Sequence, residues 1–156
     1  VLVYIGTPHS SSEVHRKVIA DLGEDASRDP RMAGLRKCAA EARDAAISGD
    51  LALLGDVMNR SIDLQRALHP DLVCEKFDEI IEIAGSYKAC GCKVNGAGGD
   101  GGSITILTDG DVNKKREMER VLNEKGYHSI PVRLSPAGLR VWETLPAGGQ
   151  PQTNIG

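Results

Sequence analysis

Lys93-Val94-Asn95-Gly96-Ala97-Gly98-Gly99-Asp100-Gly101-Gly102-Ser103-Ile104-Thr105-Ile106-Leu107 joins two apolar segments through a connection in which five of seven residues, 96–102, are glycine. Cys92-Lys93-Val94 and Ser103-Ile104-Thr105-Ile106-Leu107 have the β-branched, alternating character of strands. The stretch therefore predicts a strand, a glycine-rich turn and a second strand. Upstream the pattern is helical. Leu35, Cys38, Ala42, Ala45 and Ala46 recur at spacings of three and four, and the segment stops at Ser48-Gly49-Asp50. Asp50 caps a further helix whose inner face is read as Leu51, Leu54, Met58 and Ile62, closed by His69-Pro70. Phe77, Ile80, Ile81 and Ala84 mark a third helix ending near Gly85.

Both ends of the chain complete the order. Val1-Leu2-Val3-Tyr4-Ile5 reads as a strand, followed by a short helix from the Ser10-Ser11-Ser12-Glu13 caps to about Leu22 and a polar loop over 23–30. After Leu107, Asp109-Gly110-Asp111 starts a helix carrying Val112, Met118, Val121 and Leu122 that ends at Gly126. Ile130, Val132 and Leu134 alternate as a strand, and Leu139-Arg140-Val141-Trp142 reads as a final short one. A strand–turn–strand unit flanked by helical crossovers gives an α+β fold. It is the ferredoxin-like split βαβ arrangement, with a mainly antiparallel sheet and helices on one face. Residues 1–145 form one domain and 146–156 a Gly/Pro/Gln-rich flexible tail. A chain that opens without Met, directly in a strand, is expected to be a piece of a longer protein.

Composition narrows the function. At 156 residues with 40% hydrophobic content the chain can build a core, but 3% aromatic content makes that core aliphatic. A net charge of −3 argues against a phosphate-backbone-binding surface. The most basic run, Asn113-Lys114-Lys115-Arg116, is followed by Glu117 and Glu119 and reads as a solvated helix face. Nucleic acid is thus not an expected partner. No apolar run approaches the roughly 20 residues that span a bilayer, so a membrane is not expected either. The four cysteines, Cys38, Cys74, Cys90 and Cys92, form no metal-ligand spacing and read as reduced thiols of a cytoplasmic protein.

The glycines carry the chemical information. Without Cβ atoms the loop can take positive φ angles and present successive N–H groups to an anion. A merely flexible hairpin is the bland alternative. Residues 96–101 spell G-x-G-x-x-G, but a strand follows where a dinucleotide fold needs a helix, and no Lys follows the glycines as in a Walker A loop. Protein-kinase H-R-D and D-F-G signatures are absent.

Lys93 to Leu107 resembles the third conserved motif of the galactokinase–homoserine kinase–mevalonate kinase–phosphomevalonate kinase (GHMP) superfamily. Ser48-Gly49-Asp50-Leu51-Ala52-Leu53-Leu54-Gly55-Asp56-Val57-Met58-Asn59 resembles the helical segment preceding that motif. Gly6-x-Pro8-His9-x-Ser11 resembles a strand-exit turn of sugar- and heptose-kinase-like members. The resemblance implies the C-terminal domain of an ATP-dependent kinase using Mg²⁺ and acting on a galactose-, fucose- or heptose-type sugar or sugar phosphate. Gly96, Ala97, Gly98, Gly99, Asp100, Gly101, Gly102 and Ser103 would then line nucleotide or substrate phosphate. The main ATP loop and the catalytic residues would lie in an N-terminal kinase domain, so no catalytic residue is assigned here and the isolated chain is expected to be inactive. The alternative is a free-standing ferredoxin-like anion-binding or regulatory module.

Asp100 departs from the glycine pattern. A carboxylate beside phosphates repels them unless a cation compensates, so it is read as turned outward or bonded to loop amides, with metal or sugar-hydroxyl binding and a decayed site as alternatives. Other candidates have simpler readings. His9 and His15 lack metal-ligand spacing, although His9 could contact substrate. Asp109-Gly110-Asp111-Val112-Asn113 fails as a calcium loop because Lys114 and Arg120 occupy its Gly and Glu positions. Lys93 is either solvated or turned to phosphate, and Trp142 is expected to cover the sheet edge. No metal site is expected.

Overall fold

The computed structural model describes residues 1–6, 11–133, 135 and 137–142. Its elements, with numbering restricted to α-helices and strands, are β1 (Leu2–Tyr4), α1 (Ser11–Leu22), α2 (Pro30–Ser48), α3 (Leu51–Leu68), α4 (Glu75–Ser86), β2 (Gly91–Asn95), β3 (Ser103–Leu107), α5 (Val112–Glu124) and β4 (His128–Ile130). Short 3₁₀ turns at Ala26–Arg28 and Pro70–Leu72 lie between them. The four strands form one antiparallel sheet in the order β2-β3-β1-β4, which is the split βαβ topology. β1 runs centrally, with Val3 opposite Ile104 and Ser129.

Alternation along the strands divides the sheet into two faces. Val3, Cys92, Val94, Ile104 and Ile106 are buried and join one aliphatic core with Phe77, Ile80 and Ala84 of α4 and Met118 and Leu122 of α5. Between them, Lys93, Asn95, Ser103 and Thr105 are half-buried. Asn95 Nδ2 donates to Ser103 Oγ and Thr105 Oγ1, both at 3.1 Å, a cross-strand polar clasp just below the glycine loop.

Caps set the helix starts. Asp29 accepts from Arg31 N at 2.8 Å with Pro30 in the first turn, Asp50 accepts from Leu53 N at 2.9 Å, and Asp111 accepts from Asn113 N and Lys114 N. The last of these shows Asp111 as a helix cap. Gly49, at φ 74°, closes α2 in a left-handed conformation and leads directly into the Asp50 cap.

Helix α3 corrects the sequence reading of its inner face. Leu51 is 48% exposed and Leu54 and Met58 are only half-buried, whereas Gly55, Val57, Ser61, Ile62, Gln65 and Leu68 are buried. The reason is that α3 lies along the edge of β2 and docks there through small and polar residues. A Cβ at Gly55 would stand 2.3 Å from the Cys90 carbonyl oxygen, and one at Gly91 would stand 2.2 Å from the Gly55 carbonyl oxygen. Asn59 Oδ1 accepts from Cys92 N at 2.9 Å, satisfying an edge-strand amide that no neighbouring strand takes.

The C-terminal strands also differ. β4 spans only His128–Ile130, and Ile130 and Val132 are exposed. Pro131 follows immediately and has no N–H to continue the ladder. Residues 139–142 form no strand, and Leu139, Val141 and Trp142 are 91%, 84% and 79% exposed. Trp142 therefore does not cover the sheet edge. Leu134, His9 and the tail 146–156 lie outside the described residues.

Candidate functional site

The glycine loop occupies one end of the sheet, where β2 leaves the core and β3 re-enters it. Gly96, Gly98, Gly99 and Gly102 take φ angles of 66°, 60°, 76° and 92°, so the turn depends on left-handed conformations that a Cβ resists. The loop is nevertheless anchored. Ala97 is buried in the core, Ile5 N donates to Gly102 O at 3.1 Å, and Gln65 Nε2 donates to Gly96 O at 3.4 Å.

The closest approach is internal. A Cβ at Gly98 would stand 1.9 Å from the carbonyl oxygen of Leu72, in the 3₁₀ turn before α4, and 3.1 Å from Val94 Cγ1. Gly98 thus lets the loop seat against the protein's own backbone, a constraint that sequence reasoning missed. At Gly96 the space on the Cβ side is open for 4 Å, so that glycine answers to its φ angle alone.

Asp100 is exposed at the loop tip and lines a depression of about 440 Å³ with Cys74, Glu75 and Lys76 at the start of α4. Cys74 is the N-cap of α4, and its thiol makes no cap bond. A first turn without a side-chain cap leaves backbone donors and the positive end of the helix dipole for another acceptor. Lys17 of α1 pairs with Asp71 at 2.7 Å; that bond raises its pKa, and Asp100 adds a weaker pull in the same direction. The loop tip and the start of α4 thus share one depression, with Lys17 within electrostatic reach of Asp100. Gly96, Ala97, Gly98, Gly99, Gly101, Gly102 and Ser103 form the loop itself, and Ser103 Oγ is engaged by Asn95.

The other candidates sit elsewhere. His15 is exposed on α1. Lys93 is half-buried; its Nζ donates to Gln65 Oε1 at 3.0 Å and to Val94 O at 2.6 Å, and it lines a cleft between α2, α3 and β2. All four cysteines are free, and burial pushes the Cys92 thiol up to about 11, which keeps it protonated and unreactive. Among the described residues no group of three or more His, Cys, Asp or Glu comes together. No helix there is long and apolar enough to cross a membrane.

Residues 42–128 match the family described as GHMP kinases C terminal, which covers α3 to α5 and the whole glycine loop and stops at the first residue of β4. The chain is 29% identical over 140 residues to a probable glucuronokinase 2 of Arabidopsis thaliana, covering 88% of this chain and 37% of that protein. It is 26% identical over 133 residues to a bifunctional fucokinase/GDP-fucose pyrophosphorylase of the same plant, covering 85% of this chain and 12% of that one. Its fold superposes on L. major mevalonate kinase in complex with R-mevalonate with a TM-score of 0.66, at 25% identity over 80% of this chain and 38% of that one. Mevalonate kinase of Methanococcus jannaschii gives a TM-score of 0.57 at 21% identity over 81% of this chain and 36% of that one. The chain spans well under half the length of these relatives. With the loop and the helix before it both inside the matched span, the chain belongs to the GHMP kinase C-terminal domain family.

Proposed function

We propose that this chain is the C-terminal domain of an ATP-dependent kinase that phosphorylates a sugar or a sugar derivative. The observation that carries the reading is the turn at 96–102, with four glycines in left-handed conformations beside the uncapped start of α4. Such a surface presents backbone N–H groups to an anion without a side chain in the way. Phosphoryl transfer relies on positioning and charge neutralisation, which makes a rigid set of backbone donors useful. The two curated relatives act on sugars by their names, one a glucuronokinase and one a fucokinase, which supports fucose-type and uronic acid substrates.

The residues present fit a supporting role toward the nucleotide or substrate phosphate. The loop with Ser103 would bound the phosphates, beside the start of α4. Asp100 is the loop's one carboxylate. Among the described residues no group of three or more His, Cys, Asp or Glu gathers there, and Mg²⁺ would come with the phosphates it neutralises. The ATP loop and the catalytic groups belong to an N-terminal kinase domain, the implied partner of this surface, in a cytoplasmic enzyme.

The test is an ADP-release assay on the full-length protein with L-fucose, D-glucuronate, D-galactose, a heptose phosphate and mevalonate. Turnover with one of the sugars is expected, and none with the 156-residue chain alone. Turnover restricted to mevalonate would overturn the sugar assignment. No turnover on any substrate, with phosphate binding kept by the chain alone, would favour the anion-binding module.

A further inference from the structure

Away from the glycine loop, helices α2 and α3 and strand β2 line a cleft of about 390 Å³ that opens to solvent. Leu35 and Ala42 of α2 and Val57 and Met58 of α3 supply apolar walls, while Gln65 and Lys93 form a polar end. The volume lies within the range of small-molecule sites, and an apolar chamber with a few convergent polar groups is their usual composition.

Lys93 gives the cavity its chemistry. Its Nζ donates to Gln65 Oε1 at 3.0 Å and Val94 O at 2.6 Å, both neutral acceptors, and it takes part in no ion pair among the described residues. An ammonium has three hydrogens, so one donor remains. Burial lowers its pKa, as expected for a cation drawn from water without a counter-charge. The spare donor of an ammonium without an ion-pair partner therefore suits an anion at Lys93, and the apolar walls suit a hydrocarbon behind it.

We propose that this cavity is a binding site for a small carboxylate with an unbranched apolar tail, its headgroup on Lys93 and its tail between α2 and α3. The site reports to the glycine loop through Gln65, which accepts from Lys93 with Oε1 and donates to Gly96 O at 3.4 Å with Nε2. A carboxylate that draws Lys93 off Gln65 changes the bond that steadies Gly96. The site is separate from the phosphate-binding reading above and stands without it.

The experiment titrates the purified chain with octanoate and with 1-octanol, which share a tail and differ in headgroup, by calorimetry and by ¹⁵N NMR. Octanoate is expected to bind saturably, at least ~10-fold tighter than octanol, the scale of a hydrogen bond to a charged group. The Gly96 and Ala97 amides are expected to shift. Lys93→Met should erase the preference for octanoate, and Ala42→Phe, which fills the chamber, should abolish both ligands. If Lys93→Met does not fold, the octanoate-to-octanol ratio on the unaltered chain and the Ala42→Phe variant decide. Equal affinity for the two ligands, no saturable binding of octanoate below its micellar range, or a preference that survives Lys93→Met overturns the proposal.

Discussion

Substituting Gly98 by alanine separates two constraints that a glycine-rich loop ordinarily mixes. At φ 60° a Cβ costs about 1–2 kcal/mol from left-handed backbone strain alone. The same Cβ would stand 1.9 Å from the Leu72 carbonyl oxygen, which is backbone and cannot rotate aside. Displacing the 3₁₀ turn that carries it is an overpacking defect of about 1–3 kcal/mol. Gly98→Ala should therefore destabilise by about 2–5 kcal/mol. Gly96→Ala is the internal reference, because Gly96 has nearly the same φ, 66°, but open space on its Cβ side. It should cost only the strain, about 1–2 kcal/mol. Urea denaturation of both variants without nucleotide measures the difference, with the slope checked for two-state behaviour. A larger loss at Gly98 is expected even with no ligand present. Equal losses would refute the reasoning, because the loop would then be free to move away from Leu72.

Three further outcomes follow from the geometry. Gly55→Ala should destabilise by more than about 2 kcal/mol in the same denaturation assay, since its Cβ would stand 2.3 Å from the Cys90 carbonyl oxygen and force α3 off the strand edge; a loss under about 0.5 kcal/mol would contradict that docking. The Arg31 guanidinium beside Asp29 holds its carboxyl at about 2, below the ordinary 3.8. A depressed folded-state value means that stability is fully present above pH 3.8 and lost as pH falls toward 2, so Asp29→Asn should flatten the denaturation midpoint in that window, and parallel profiles would count against it. Trp142, the only tryptophan, is 79% exposed, so iodide should quench its emission readily in the folded chain, and a protected, blue-shifted spectrum would show that it packs.

What the sequence disclosed depends on how each element earns its place. The switch from helical spacing to alternation near Gly91 placed β2, the turn and β3, because those strands bury one face against the core and the pattern records it. The same logic failed at 139–142, where an apolar run mimics a strand but finds no neighbour, and at β4, where Pro131 ends a ladder that alternation alone would extend. It misplaced the inner face of α3 because that helix meets a strand edge. There Gly55, Ser61 and Gln65 are buried and Leu51 is not, so hydrophobicity is a poor guide to contact. In the site, the glycine content signalled positive φ correctly. It could not show that Gly98 faces Leu72 while Gly96 faces open space, because that distinction is made by a turn some 25 residues earlier in the chain.

The two segments that resemble kinase motifs are physically one device. Helix α3 lies beside the full length of β2, and contacts follow in order along both elements: Gly55 against Cys90 and Gly91, Asn59 on the Cys92 amide, and Gln65 between Lys93 and the Gly96 carbonyl. Gly55 and Asn59 are four residues apart and so share a helix face. The glycine permits backbone-to-backbone contact, and the asparagine then reaches the edge amide. Once α3 is fixed at that end, Gln65 arrives at the start of the turn with no freedom to choose another partner. The glycine loop is thus held from below by the helix, from one side by Leu72 and at its exit by Ile5. A loop with so many glycines would be mobile if it stood alone. Held at these points, it keeps left-handed conformations at defined positions, and that is what a backbone anion site requires, because donors that must first be ordered give up much of their advantage.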